Sequence, residues 1–115
     1  MTIQKASADL TTVDIYRLTK APNARKMSDA KGQRIPLSKW AMYDDVNRKT
    51  GEVHTILSIA SEDGVVYATN SPTFVNDFVS MMELFEAAGE AVPAVVVESG
   101  ISKGGREFIT CVYSD

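Results

Sequence analysis

One histidine and one cysteine in 115 residues leave little material for enzyme chemistry. His54 alone cannot build a histidine-based metal cluster, and His54 with Cys111 falls short of the four ligands of a structural zinc site. A Cys–His nucleophilic pair would need these two residues to meet across the fold. Cys111 lies among Ile109, Val112 and Tyr113 on an expected strand, where a small buried thiol is the ordinary outcome. Asp44-Asp45 and Glu62-Asp63 are adjacent pairs, so on a strand their carboxylates point to opposite faces and cannot work as a couple. No phosphate-binding loop is present, because Gly104-Gly105 follows Lys103 instead of preceding it. The sequence predicts no enzyme, no cofactor and no bound metal.

Other absences narrow the class. A lone cysteine makes no internal disulfide, which fits a reducing cytoplasm. No stretch approaches the ~20 apolar residues of a membrane span, and the start MTIQKASADL lacks a signal-peptide apolar run. The expectation is a soluble cytoplasmic protein without a membrane partner. Its 44% apolar and 23% charged content is that of a globular chain, not a disordered one. The length suits one domain over 1–115.

The net charge of −3 conceals a strong polarity. Residues 1–49 carry ten basic side chains against five acidic ones, whereas residues 50–115 carry only Lys103 and Arg106 against ten acids. Between 17 and 39, Arg17, Lys20, Arg25, Lys26, Lys31, Arg34 and Lys39 face only Asp29. A local positive field on an acidic chain points to a polyanionic partner; the plain alternative is a solvated loop kept soluble by its lysines.

Residues 1–10 read as a flexible terminus. Val13 to Leu18 alternates apolar and polar side chains, which predicts a short strand. Residues 19–34 hold Pro22, Asn23, Gly32 and most of the basic side chains without a sustained period, and read as a long basic loop. Ile35–Val46 and Glu52–Ala60 predict two strands joined by a hairpin loop through Asn47-Arg48-Lys49-Thr50-Gly51. Glu62-Asp63-Gly64 turns the chain into a third strand over 65–69. Ser71 as N-cap and Pro72 at the first helical position open a helix with an apolar stripe of Phe74, Phe78, Met81 and Phe85. Gly89 ends it. Two more strands follow, Ala94–Glu98 and Glu107–Tyr113.

This order, β-β-β-α-β-β plus a short N-terminal strand, predicts a mainly β fold with one helix: an OB-fold-like five-stranded barrel. An α+β sheet with a single helix on one face would read almost the same.

Binding surfaces are better provided than catalytic ones. Single-stranded nucleic acid is held by a basic groove along its backbone and by aromatic faces under its bases. Arg17 follows Tyr16, Lys39 precedes Trp40, and Lys103 and Arg106 lead into Phe108. Trp40 and Phe108 are more often core residues than stacking platforms, and Tyr113 reads as a side chain that closes the barrel. Tyr43 and Tyr67 are the better stacking candidates, because a strand tyrosine with a polar tip tolerates solvent.

Asp63-Gly64-Val65-Val66-Tyr67 leading into a helix after Ser71, Ser102-Lys103-Gly104 before the last strand, and a preceding hairpin with Tyr43 on its first arm form a pattern of order and spacing. In this the chain resembles the small single-stranded DNA-binding proteins of phages that replicate linear DNA by protein priming. The resemblance covers roughly residues 35–115, with an echo in Val13–Tyr16. It implies an OB-like fold, a role coating displaced strands during phage DNA replication in the host cytoplasm, stacking on Tyr43 and Tyr67, and a phosphate contact from Lys103. The end Tyr113-Ser114-Asp115 lacks the long acidic tail of cellular strand-binding proteins, so recruitment through a tail is not expected.

Taken together, the expected site has Tyr43, Tyr67 and Trp40 stacking on bases. Arg17, Arg34, Lys39, Arg48, Lys49, Lys103 and Arg106 neutralise phosphates. Single-stranded DNA is the expected partner, with replication proteins as further candidates. The basic loop would either order over the strand or contact a neighbouring protomer, which leaves a homo-oligomer open. The alternative is a small protein–protein adaptor or inhibitor domain that docks an acidic partner through the basic loop.

Overall fold

The long strand β3 (Arg34–Val46) organises a computed structural model that describes residues 1–20 and 23–115. One edge of β3 pairs along its length with β4 (Val53–Ser61), from Leu37 opposite Ser61 to Val46 opposite Val53. Its other edge is shared. Residues Arg34 to Pro36 pair with β6 (Ala94–Ile101), and Ala41 to Asp44 pair with β1 (Thr2–Ala6). The register slips between Leu37 and Lys39, a bulge of the kind that bends a strand so that it can belong to two diverging halves of a sheet.

The remaining strands extend both flanks. β4 pairs with β5 (Val66–Thr69), whose far edge takes a two-residue parallel strand, β2 (Arg25–Lys26); β6 pairs with β7 (Glu107–Ser114). The result is a seven-stranded mixed sheet in the order β2-β5-β4-β3-β6-β7, with β1 beside β3. It curls into a half-barrel. No helix of the described residues is long and apolar enough to cross a membrane.

Helix α2 (Pro72–Ala87) fills the concave side. Ser71 caps it, with its hydroxyl accepting from the N–H of Phe74, and Gly89, at φ 72°, takes the left-handed conformation that stops it. Phe74 and Phe78 are fully buried in one core with Ile35, Trp40, Leu57, Ile59, Val95 and Val97. α2 also shields the free edge of β7. Asp77 accepts the backbone N–H of Cys111 at 3.5 Å, and Phe85 stacks on Tyr113 with ring centroids 5.1 Å apart. Covering an unpaired strand edge with a helix removes a template for aggregation.

Three expectations are corrected here. Val13 to Leu18 is not a strand but lies in a second helix, α1 (Thr12–Thr19). Thr11 and Asp14 form a reciprocal capping box at its start, and a capped turn outweighs six residues of alternation. Residues 2–6 are not a loose terminus but strand β1, which satisfies the edge of β3 that β6 leaves open. The expected loop over 19–34 contains β2 and a single 3-10 turn, Met27–Ala30, whose Met27 and Ala30 are buried. Ala21 and Pro22 of that loop lie outside the described residues. The sequence-predicted helix and the five strands from 35 to 113 match α2 and β3 to β7 within a few residues at their ends.

Candidate nucleic-acid interface

Helix α1 lies across the convex face of the sheet. Leu18 is buried against Ala41 and Val66, with Leu10 and Ala60 packed beside them. The small side chains at 41 and 60 are what let a helix approach a strand surface so closely. Lys39 reaches up from β3 and donates to the Asp14 carboxylate at 2.6 Å. That contact, reinforced by the Thr11 N–H, holds the Asp14 carboxyl down at about 2. Lys39 is therefore a strut of the fold, not the free phosphate contact expected of it.

With α2 packed on one face of β3–β4, the strand aromatics of that face are enclosed. The register aligns Trp40, Ile59 and Tyr67 in one row across β3, β4 and β5, on the concave side. Trp40 is 8% exposed and meets Phe78 edge-on at 5.1 Å; Tyr67 is 9% exposed in the same core. Tyr43 belongs to the convex row with Ile3 and Ile56, yet is only 6% exposed. Burial pushes its phenol above the usual range, and the Asp45 charge adds to this. A base needs a free ring face, so none of the three expected stacking residues offers a platform in this conformation. Phe108 is half-buried over Gly100, where a Cβ would come 2.7 Å from its ring.

The expected phosphate contacts fall into groups. Arg34 is pinned to the chain end, donating to the Ser114 hydroxyl at 3.2 Å and the Asp115 carbonyl at 3.1 Å. Arg48 and Lys49 are exposed on the β3–β4 hairpin, and Lys103 and Arg106 on the β6–β7 turn. Arg17 is exposed on α1, lining a depression that also includes Val66 of β5. Arg25 of β2 pairs with Tyr67, the next residue along β5, so the sheet brings the basic segment back beside α1. Among the described residues, Arg17, Lys20, Arg25 and Lys26 make no ion pair, whereas Lys5, Lys31 and Lys39 are paired to Glu83, Glu107 and Asp14.

One aromatic faces solvent within this group. Tyr16 on α1 is 57% exposed, next to Arg17 and one helical turn before Lys20. Reading 13–18 as a strand hides this, because it puts Tyr16 on the same face as Leu18, whereas on the helix Leu18 is buried and Tyr16 stays in solvent. The capping signature Thr11-x-x-Asp14 is the sequence signal that recovers it.

A separate cleft of about 560 Å³ opens between α2 and the far end of β3–β4. Met42, Val53, Val75 and Val79 form its walls, and Asn70, Asn76 and Ser80 its rim. Nothing in the sequence marks these residues, which come together only when α2 folds back over the hairpin. Cys111, by contrast, is a closed position: burial first, and then the Asp77 charge, push its thiol up to about 12.

The chain matches no protein-family model, no curated protein and no solved structure.

Proposed function

We propose that this protein binds single-stranded DNA with little sequence preference, coating exposed strands during phage DNA replication. The observation that carries this reading is the basic surface of α1 and β2. There Arg17, Lys20, Arg25 and Lys26 lie exposed and unpaired among the described residues, and Tyr16 on α1 presents an open ring. Cations that follow a backbone and an aromatic face for a base are the two components of strand binding.

The topology supports an OB-type reading of the half-barrel. The run β3-β4-β5-α2-β6-β7, with β6 returning antiparallel to β3, has the element order of that fold. In OB-folds, oligonucleotides lie on the second and third strands and on the loops of the two hairpins. Here those loops carry Arg48 with Lys49, and Lys103 with Arg106, the only two basic residues of the acidic second half. Where β5 and β7 would pair to close a barrel, α2 lies along β7 instead.

The test replaces Tyr16 by Ala and, separately, Arg25 and Lys26 together by Glu. Both variants should keep the wild-type fold and lose most of their affinity for oligo-dT. Wild-type affinity in both would overturn the assignment of this surface.

The enclosure of Tyr43, Tyr67 and Trp40 favours a second reading, an adaptor whose basic segment docks an acidic protein surface. It predicts no oligonucleotide binding at low salt.

A further inference from the structure

We propose that the cleft between α2 and the β3–β4 hairpin receives one base of the bound strand. This rests on the strand-binding reading and adds to it a specific place where a base leaves the backbone track.

The lining matches a flat, uncharged heterocycle. Val53 on one wall and Val75 and Val79 on the other give two apolar surfaces, and Asn70 and Asn76 are exposed at the rim. Amides both donate and accept, so they pair with the edge of any base without selecting one. Among the described residues no lysine, arginine, aspartate or glutamate lines the cleft and His54 is its one titratable side chain, which disfavours a phosphate or a charged peptide side chain. Two carboxylates touch lining residues: Asp44, with one oxygen accepting from Gln4 at 2.6 Å and the other from Thr55 at 3.0 Å, and Glu52, which pairs with His54 at 3.5 Å. A volume of about 560 Å³ lies within the range of small-molecule sites, roughly 300–1,000 Å³.

The surroundings supply the path. Asn70 belongs both to this cleft and to a shallow depression formed with Ile56, Ala68 and Thr69. Ala68 is the register partner of Lys26 on β2. At the opposite side, Val53 and His54 run directly into the hairpin that bears Arg48 and Lys49. A strand that starts on the β2 cations therefore crosses the end of β5, passes the cleft and leaves over the hairpin cations, with phosphates outside and one base inside.

The experiment uses the shortest oligo-dT that binds the full chain at full affinity, so that the protein cannot slide to another register. A single abasic site is stepped along it and binding is read by fluorescence anisotropy. One position should weaken binding about tenfold or more, the loss expected of one held base, with smaller effects elsewhere. Asn76→Trp fills the cleft from an exposed helix position and should weaken intact oligo-dT by a similar factor while flattening the abasic profile. Ser80→Phe, one turn further along the same rim, repeats the block should Asn76→Trp fail to fold. A flat abasic profile on the wild type, with blocked variants that bind normally, overturns the cleft while leaving strand binding intact. Absence of any oligo-dT binding overturns both.

Discussion

Lys39 on the central strand holds Asp14 on α1 at 2.6 Å, and this pair ties the basic helix to the sheet. The Asp14 carboxyl is depressed from 3.8 to about 2 in the folded chain. A depressed carboxyl contributes stability that is present above its unfolded value and lost as pH falls through its folded one. Lys39→Met leaves the Thr11 cap in place and removes only the partner. Its melting temperature should lie slightly below wild type at pH 7, and the gap should close as pH drops from about 4 to about 2. A gap that persists at pH 2 would show that Lys39 acts through packing.

The cap itself is a separate contribution. Thr11→Ala removes the acceptor for the Asp14 N–H and should cost about 1 kcal/mol in denaturant unfolding. Because α1 carries Tyr16 and Arg17, the same substitution should weaken oligonucleotide binding more than it weakens the fold.

Trp40 is a core residue, which sets a clear optical expectation. Its emission should be that of a buried indole and should change little when oligo-dT is added, whereas tyrosine emission should fall as Tyr16 stacks. Trp40→Ala should destabilise the fold by about 3–5 kcal/mol. Strong quenching of tryptophan would mean that α2 opens on binding.

Cys111 should resist thiol reagents until the protein unfolds. Its thiol is raised from 9.0 to about 12, and a raised acid favours folding below its unfolded value. Stability should decline as pH rises from about 9 toward about 12, and Cys111→Ala should show a shallower decline, the raised Tyr43 phenol supplying part of what remains. Rapid modification of the native chain would contradict the packing of β7 under α2.

Much of this fold can be read from local signals. Ser71, Pro72 and Gly89 mark both ends of α2, and the alternation from Ile35 onward marks the strands. The N-terminal third is harder because its signals conflict. Val-Asp-Ile-Tyr-Arg-Leu satisfies a strand period, while Ile15 and Leu18 also satisfy a helical one, and only the cap at Thr11 decides between them. β1 is exposed at all five positions, so no apolar pattern announces it; the open edge of β3 creates it.

The site divides in the same way. The cluster of cations is a property of composition, and Arg17, Lys20, Arg25 and Lys26 survive folding as exposed side chains while Lys31, Arg34 and Lys39 are engaged. The fate of the strand aromatics is a property of tertiary covering. Alternation tells which residues share a face, not that Trp40, Ala41, Met42 and Tyr43 would all be buried in the folded chain.

The most direct test of strand binding is a titration of the intact protein with labelled oligo-dT and with a duplex of equal length, at two salt concentrations. Preferential binding of oligo-dT that weakens as salt rises is the predicted result. Equal affinity for the duplex, or no binding of oligo-dT at low salt, would contradict it.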